Sequence, residues 1–431
     1  MVIALALMMV VSAVSGLNVA LPDLAVDTGA SQTQVTWIVD AYTLVFVGLL
    51  LPAGAAGDRY GRRGILLAGL GVFGAAAAAA LVTSDPLVLI GLRAVMGAGA
   101  AAVMPSTLSI ITASFPPEER GRAVGVWVGV AGGGAVLGLF ASGALLQVFA
   151  WNSFFALNVT LAVLALVGTV LVVPSSRESN APPLDPVGAV AALLTVVGLV
   201  FGIIEGPTQG WSDPVTVGAF TVAVVAVVVF VGWELRAPQP MLDPRLFRVR
   251  GFSTGALALT AQFFGSFGLF FIVLQYLQYV AGRTPLGAAT ALLPLPLVLI
   301  PLARNAPRIA DRFGPNRVVG LGLALSATGL LVISRVGVDL IYWQLATGLV
   351  LFGAGMGLAG TPATTAITAS LPREKQGVGS AVNDTSRELG SALGIAVLGS
   401  VLNSTYRSAL PDAVTGVPAG LVERAQTSIA F

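Results

Sequence analysis

The sequence has 431 residues, of which 56% are hydrophobic and only 10% charged, and a mean hydropathy of +0.91, values that belong to an integral membrane protein rather than a soluble domain. It contains no cysteine and no histidine, which excludes disulfides, thiolate nucleophiles, histidine acid–base chemistry and the usual zinc sites. The net charge of +2 says little as a total, but the basic residues are nearly all arginine, Lys375 being the exception, a bias that suits a GC-rich bacterial genome.

A bilayer core takes about 20 apolar residues per helix. On that measure thirteen crossings are expected, near 2–21, 34–56, 64–83, 86–112, 122–147, 153–174, 186–206, 215–233, 252–280, 285–303, 317–335, 341–369 and 377–403. The first run is too long, and too firmly continued by others, to be a cleaved signal peptide. Arg59, Arg62, Arg63, Arg120, Arg122, Arg177, Arg236, Arg245, Arg248, Arg250, Arg304, Arg308, Arg312, Arg317, Arg373 and Lys375 all fall in even-to-odd connections. The opposite connections hold Arg283, Arg335, Arg407 and Arg424. The positive-inside rule therefore places the N-terminus in the cytoplasm. An odd number of crossings leaves 404–431 outside, so a fourteenth helix is expected to be missing at the C-terminus, and both ends to be trimmed.

Along the chain, the first crossing ends in GLNVALPDL (16–24), and the second begins with TWIVDAYTLVF (36–46), which holds one carboxylate, Asp40. GDRYGRRG (57–64) follows the second crossing. The fourth contains LIGLRAVMGAGAA (89–101), with Arg93 in mid-helix, where an arginine costs roughly 2.5–3.5 kcal/mol on insertion scales and normally faces a partner or water. The fifth carries WVGVAGGGAVLGLFASGALL (127–146), with Gly132, Gly133, Gly134 and Gly138 dense enough for a bend or a close helix contact. Glu205, in IIEGP, reads as an interfacial residue at the outer end of the seventh. AQFFGSFGLFFIVLQYLQYV in the ninth supplies Phe263, Phe264, Phe267, Gln275 and Tyr276, and TPATTAI (361–367) adds hydroxyls in the twelfth. In NDTSRELGSALG (383–394) of the thirteenth, Asn383 precedes Asp384, while Asp384 and Glu388 stand four apart on one face. Arg387 beside them allows that cluster to neutralise itself by pairing.

Two of these features recur. GDRYGRR (57–63) returns as ADRFGPNR (310–317), pairing Asp58, Arg59 and Gly61 with Asp311, Arg312 and Gly314, and FPPEERGRA (115–123) returns as LPREKQGVG (371–379). Two matches at nearly one spacing indicate an internal duplication of parallel halves. The expected division is a six-helix half over 1–174, a two-helix insertion with polar Pro-rich linkers over 175–250, and a second half over 251–431.

With these motifs the chain resembles the major facilitator superfamily, and with its two extra central helices the fourteen-helix drug:proton antiporters. The resemblance implies an all-α membrane fold of two six-helix halves as parallel pseudo-repeats. GDRYGRRG is similar to the family's signature loop, which implies an inner-gate role for Asp58, Arg59, Gly61, Arg62 and Arg63, with Asp311 and Arg312 as the repeat's counterparts. Arg93 fits the fourth-span motif linked to proton transfer, although Met96 stands where the family usually has Gln. The fifth-span run resembles the antiporter motif ending in GPxxGG, with Leu139 in place of the Pro and Ser142 in place of a Gly. Ala13 occupies the position of the family's usual first-span acid.

Proton coupling needs a carboxyl that takes a proton from one side and releases it to the other as access alternates. Asp40 and Glu388 are the first candidates, then Asp384, with Arg93 and Arg387 as charge partners. Tyr42, Phe263, Phe264, Phe267, Gln275, Tyr276 and Asn383 are the expected lining of a cavity between the halves. The expectation is a bacterial inner-membrane, multi-pass exporter of small lipophilic or cationic substrates. It is a monomer in contact with membrane lipid, with protons as coupling ion, no other cofactor, no metal and no nucleic acid. An importer or amphiphile exporter of the same fold, and a non-transporting receptor, are the alternatives. An enzyme is disfavoured, since GAGAAA lies within a span and lacks the strand context of a nucleotide loop.

Overall fold

A computed structural model describes residues 1–174, 185–372 and 375–413. The N-terminal bundle consists of α1 (Val2–Ser15), α2 (Leu17–Thr28), α3 (Gln32–Tyr60), α4 (Arg62–Ala80), α5 (Pro86–Ser114), α6 (Pro117–Leu145) and α7 (Ser153–Val172). Two inserted helices follow, α8 (Pro186–Gln209) and α9 (Pro214–Glu234). The C-terminal bundle holds α10 (Arg250–Gln275), α11 (Pro285–Ala291), α12 (Pro294–Phe313), α13 (Pro315–Ile333), α14 (Tyr342–Ala369) and α15 (Gln376–Ala413).

Helix starts are written in the sequence. Asp85, Asp185 and Asp213 cap α5, α8 and α9 through backbone N–H groups of the first turn, each followed by a proline at the first helical position. Ser31 and Gln34 form a reciprocal capping box at α3. The duplicated signature turns have the same backbone: α3 ends at Gly61, φ 102°, and α12 ends at Gly314, φ 89°, values that a side chain strongly disfavours.

Nine helices among the described residues are long and apolar enough to cross a membrane, and the pair α1–α2, bent by 49°, makes a tenth. The other three expected crossings coincide with α6, the broken pair α11–α12, and α15. Of these, α12 ends in the charged stretch RNAPRIADRF, and α15 carries NDTSRE.

The helices pack as a repeat. In the first bundle α5 packs on α3 and α4, and α1 on α6; in the second α14 packs on α12 and α13, and α10 on α15. The bundles meet along two equivalent seams, α3 with α15 and α6 with α12. The inserted helices pack on each other, and α8 also lies against α3 and α15. Small residues allow these approaches: a Cβ on Gly125 of α6 would collide with the Ala303 carbonyl of α12.

Candidate functional site

At the arginine-rich end of the bundle the α3–α15 seam is closed by one carboxylate. Asp58, in the last turn of α3, accepts hydrogen bonds from Gly377 N–H at 2.9 and 2.8 Å and from Val378 N–H at 3.2 Å, both in the first turn of α15. Arg62 pairs with the same carboxylate at 3.2 Å, and all of it is buried. The free amides of a helix N-terminus and a guanidinium are what a buried carboxylate needs to keep its charge. Arg63 turns away and donates to the Val170 carbonyl of α7 at 2.8 Å, while Arg59 is half-buried at the end of α3. Asp311 and Arg312, their counterparts by repeat, are exposed, and no hydrogen bond or ion pair joins them to α6 among the described residues.

Deeper in the bundle, Arg93 of α5 is fully buried. Its Nε donates to the Ile38 carbonyl at 2.9 Å, its guanidinium lies 4.2 Å over the Tyr42 ring, and Nη1 and Nη2 have no hydrogen-bond partner among the described residues. Tyr42 in turn donates to the Val10 carbonyl of α1 at 3.3 Å and stacks on Phe46. Across the seam, α15 contributes Asn383, Asp384 and Arg387, all buried, and half-buried Glu388. Glu388 lies within electrostatic range of Tyr42, Asp384 and Arg387, so one charge system spans both bundles.

The pairing expected within NDTSRE does not form. Among the described residues no ion pair joins Arg387 to either acid. Arg387 is instead held between two rings, 4.7 Å from that of Trp127 on α6 and 4.5 Å from that of Phe263 on α10. Asp384 accepts from Asn383 Nδ2 at 2.9 Å, and its other oxygen has no hydrogen-bond partner among the described residues. Trp127 is fixed by a hydrogen bond from its Nε1 to Thr107 Oγ1 at 3.0 Å.

Asp40 is half-buried near the opposite end of α3, within electrostatic range of Glu205 on α8. Contacts of Trp37 with Phe201, and of Gly48 with Leu193 and Val197, set these two helices antiparallel, with Asp40 and Glu205 at the same end of the pair. Phe263 and Phe267 stack, and half-buried Phe264 lies against α15 at Gly394. Three expected lining residues are engaged elsewhere. Tyr42 is packed under Arg93, Gln275 bonds the Phe271 carbonyl of its own helix at 3.1 Å, and Tyr276 ties the end of α10 to the Gly337 carbonyl at 2.8 Å.

Residues 3–395 match the Major Facilitator Superfamily. The chain belongs to that superfamily. Among curated superfamily members, the Multidrug efflux pump LfrA of Mycolicibacterium smegmatis is 36% identical over 403 residues, 93% of this chain and 79% of that one. The Puromycin resistance protein pur8 of Streptomyces alboniger is 34% identical over 96% of this chain and 84% of its own length. The Methyl viologen resistance protein SmvA of Salmonella typhimurium is 32% identical over 96% and 83% respectively. The fold agrees with that of the human organic anion transporter MFSD10, with a TM-score of 0.68 at 17% identity over 93% of this chain and 92% of that one. The proton:xylose symporter XylE gives 0.65 at 13% identity over 95% and 89%.

The residues missed in the sequence are those that act as partners. Trp127 opened a glycine-rich run that drew attention as a bend, and Gly377 was visible only as part of a repeat. Glu205 was set aside as interfacial, although a carboxylate in an inserted span was the available signal.

Proposed function

We propose that this superfamily member exports lipophilic cations in exchange for protons, by alternating access between its two bundles. The observation that supports it best is that Tyr42, packed under Arg93 in one bundle, lies within electrostatic range of Glu388 in the other, beside Asp384 and Arg387 and across a seam shut at one end. Such groups are expensive inside a membrane protein unless they move charge. In this reading Asp40 and Glu388 exchange protons, Asp384 assists, and Arg93 and Arg387 set the field around them. Phe263, Phe264, Phe267 and Asn383 line the drug path. Asp58, Gly61, Arg62, Arg59 and Arg63 form the inner gate, held here in its closed state. The names of the curated relatives, a multidrug efflux pump and proteins of puromycin and methyl viologen resistance, favour drugs as substrates. The arginine-rich end then faces the bacterial cytoplasm, the protein works as a monomer, and it needs no cofactor besides protons.

The test is efflux of a fluorescent lipophilic cation from energised cells, with and without a protonophore. Wild-type export is expected to stop on proton collapse, and Asp40→Asn and Glu388→Gln to lower it at least tenfold. Export indifferent to the protonophore, or intact in both variants, contradicts the reading. Because the chain contains no cysteine, single cysteines placed at Glu118 and Val338 report sidedness directly.

A further inference from the structure

The two seams between the bundles are related by the internal repeat but are not closed by the same chemistry. On the α3–α15 seam, Gly54 abuts Gly377 and the Asp58 carboxylate bridges to α15. On the α6–α12 seam the equivalent contact is present: a Cβ on Gly121 would lie 3.0 Å from Pro307 Cβ. The equivalent carboxylate, Asp311, is exposed and makes no bridge among the described residues. In its stead the seam holds a cavity of about 310 Å³ lined by Arg122 of α6 and by Ile300, Pro301, Arg304, Asn305 and Arg308 of α12.

Three exposed arginines from two helices therefore line one cavity. None of them has a hydrogen-bond or ion-pair partner among the described residues, and Glu118, Glu119 and Asp311, the acids nearest in sequence, pair with none of them. Like charges brought together without a counter-charge repel, and a phosphate relieves that repulsion with several charge-assisted hydrogen bonds. The seam also continues away from the arginines as exposed apolar side chains, Val126 on α6 and Ile300 and Leu297 on α12. Exposed apolar side chains of this kind suit contact with lipid. An arginine-lined cavity that runs on into an exposed apolar strip has the two-part character of a phospholipid site.

We propose that this cavity binds the phosphate group of an anionic phospholipid. The lipid bridges α6 and α12 as the Asp58 carboxylate bridges α3 and α15, so anionic lipid favours the state closed at this end. The inference adds a site to the proposed function but does not depend on drug export, since binding is measured without transport.

The experiment uses the purified protein in nanodiscs of phosphatidylcholine with increasing phosphatidylglycerol. Fluorescent labels on cysteines introduced at Glu118 and Phe313 report the separation of the seam, and native mass spectrometry reports retained lipid. Retained phosphatidylglycerol and a closed seam are expected to rise together. The triple variant Arg122→Gln, Arg304→Gln, Arg308→Gln should lower retention at least tenfold and flatten the seam response. A control variant, Arg245→Gln with Arg248→Gln, carries its changes outside the cavity and should behave as wild type. The single variant Arg304→Gln, with a partial loss, covers the case in which the triple variant does not fold. Equal retention in triple variant and wild type, or equal loss in the control, overturns the proposal. So does an equal seam response to millimolar inorganic phosphate in pure phosphatidylcholine, which would assign the cavity to a soluble anion.

Discussion

At the scale of single residues the two arginines deep in the bundle, Arg93 and Arg387, are held by aromatic rings and a backbone carbonyl rather than by opposite charges. Arg93 rests on Tyr42 and donates to Ile38, and Arg387 lies between Trp127 and Phe263. A ring in contact with a desolvated guanidinium contributes up to about 2 kcal/mol and leaves its positive charge free to act on nearby carboxylates. Lysine keeps the charge but not the planar stack or the directed Nε donor, so Arg93→Lys is expected to lower export about tenfold or more while expression and monodispersity stay normal. Trp127→Ala should release Arg387 and impair export severely, and Trp127→Phe, which keeps a ring but loses the bond to Thr107, should fall between; efflux assays on matched expression levels decide both. Arg93, Asp40 and Glu388 were legible in the sequence because a charge in an apolar run stands out. The ring partners were not, because Trp127, Phe263 and Arg387 are brought together only when α6, α10 and α15 pack.

At the scale of elements, the closed end depends on a helix terminus meeting a side chain. Hydrogen bonds to a charged group contribute about 1.5–3 kcal/mol each, and 1.4 kcal/mol is a factor of ten in a population. Removing the charge of Asp58 is therefore expected to shift the gate at least about tenfold toward the open form. A cysteine pair spanning Gly54 and Val378 in an Asp58→Asn background should cross-link correspondingly less. Unchanged cross-linking would show that the seam is closed by packing alone. A bulkier residue on the second seam tests that packing: Gly125→Leu has no room against the Ala303 carbonyl and should prevent closure, seen as lost export in a folded protein. The repeat was legible from GDRYGRR and ADRFGPNR, and the matching glycine turns at Gly61 and Gly314 follow from it. The difference between the seams was not legible, since Asp58 and Asp311 occupy equivalent positions and only packing shows that one meets a helix N-terminus and the other faces away.

At the scale of the molecule, two parallel bundles share one charge system and two seams, and closure at the arginine-rich end places Asp40 toward the opposite end of the same helix that carries Asp58. One helix, α3, thus links the closed end to the first candidate coupling acid, while α15 carries both the amides that receive Asp58 and the acids Asp384 and Glu388. The α8–α9 pair is tied into this arrangement where α8 brings Glu205 within electrostatic range of Asp40. A Glu205→Gln change is expected to alter the pH dependence of export without abolishing it, as measured by efflux rates from pH 5 to 9; an unchanged profile would separate the insertion from coupling. The most direct measurement of the central claim is proton movement in proteoliposomes carrying a pH-sensitive dye, recorded as a lipophilic cation is added. Drug entry accompanied by opposite proton flux in the wild type, with both lost in the Asp40→Asn, Glu388→Gln double variant, is the predicted result. Drug movement without proton flux, or flux that survives removal of both acids, would contradict it.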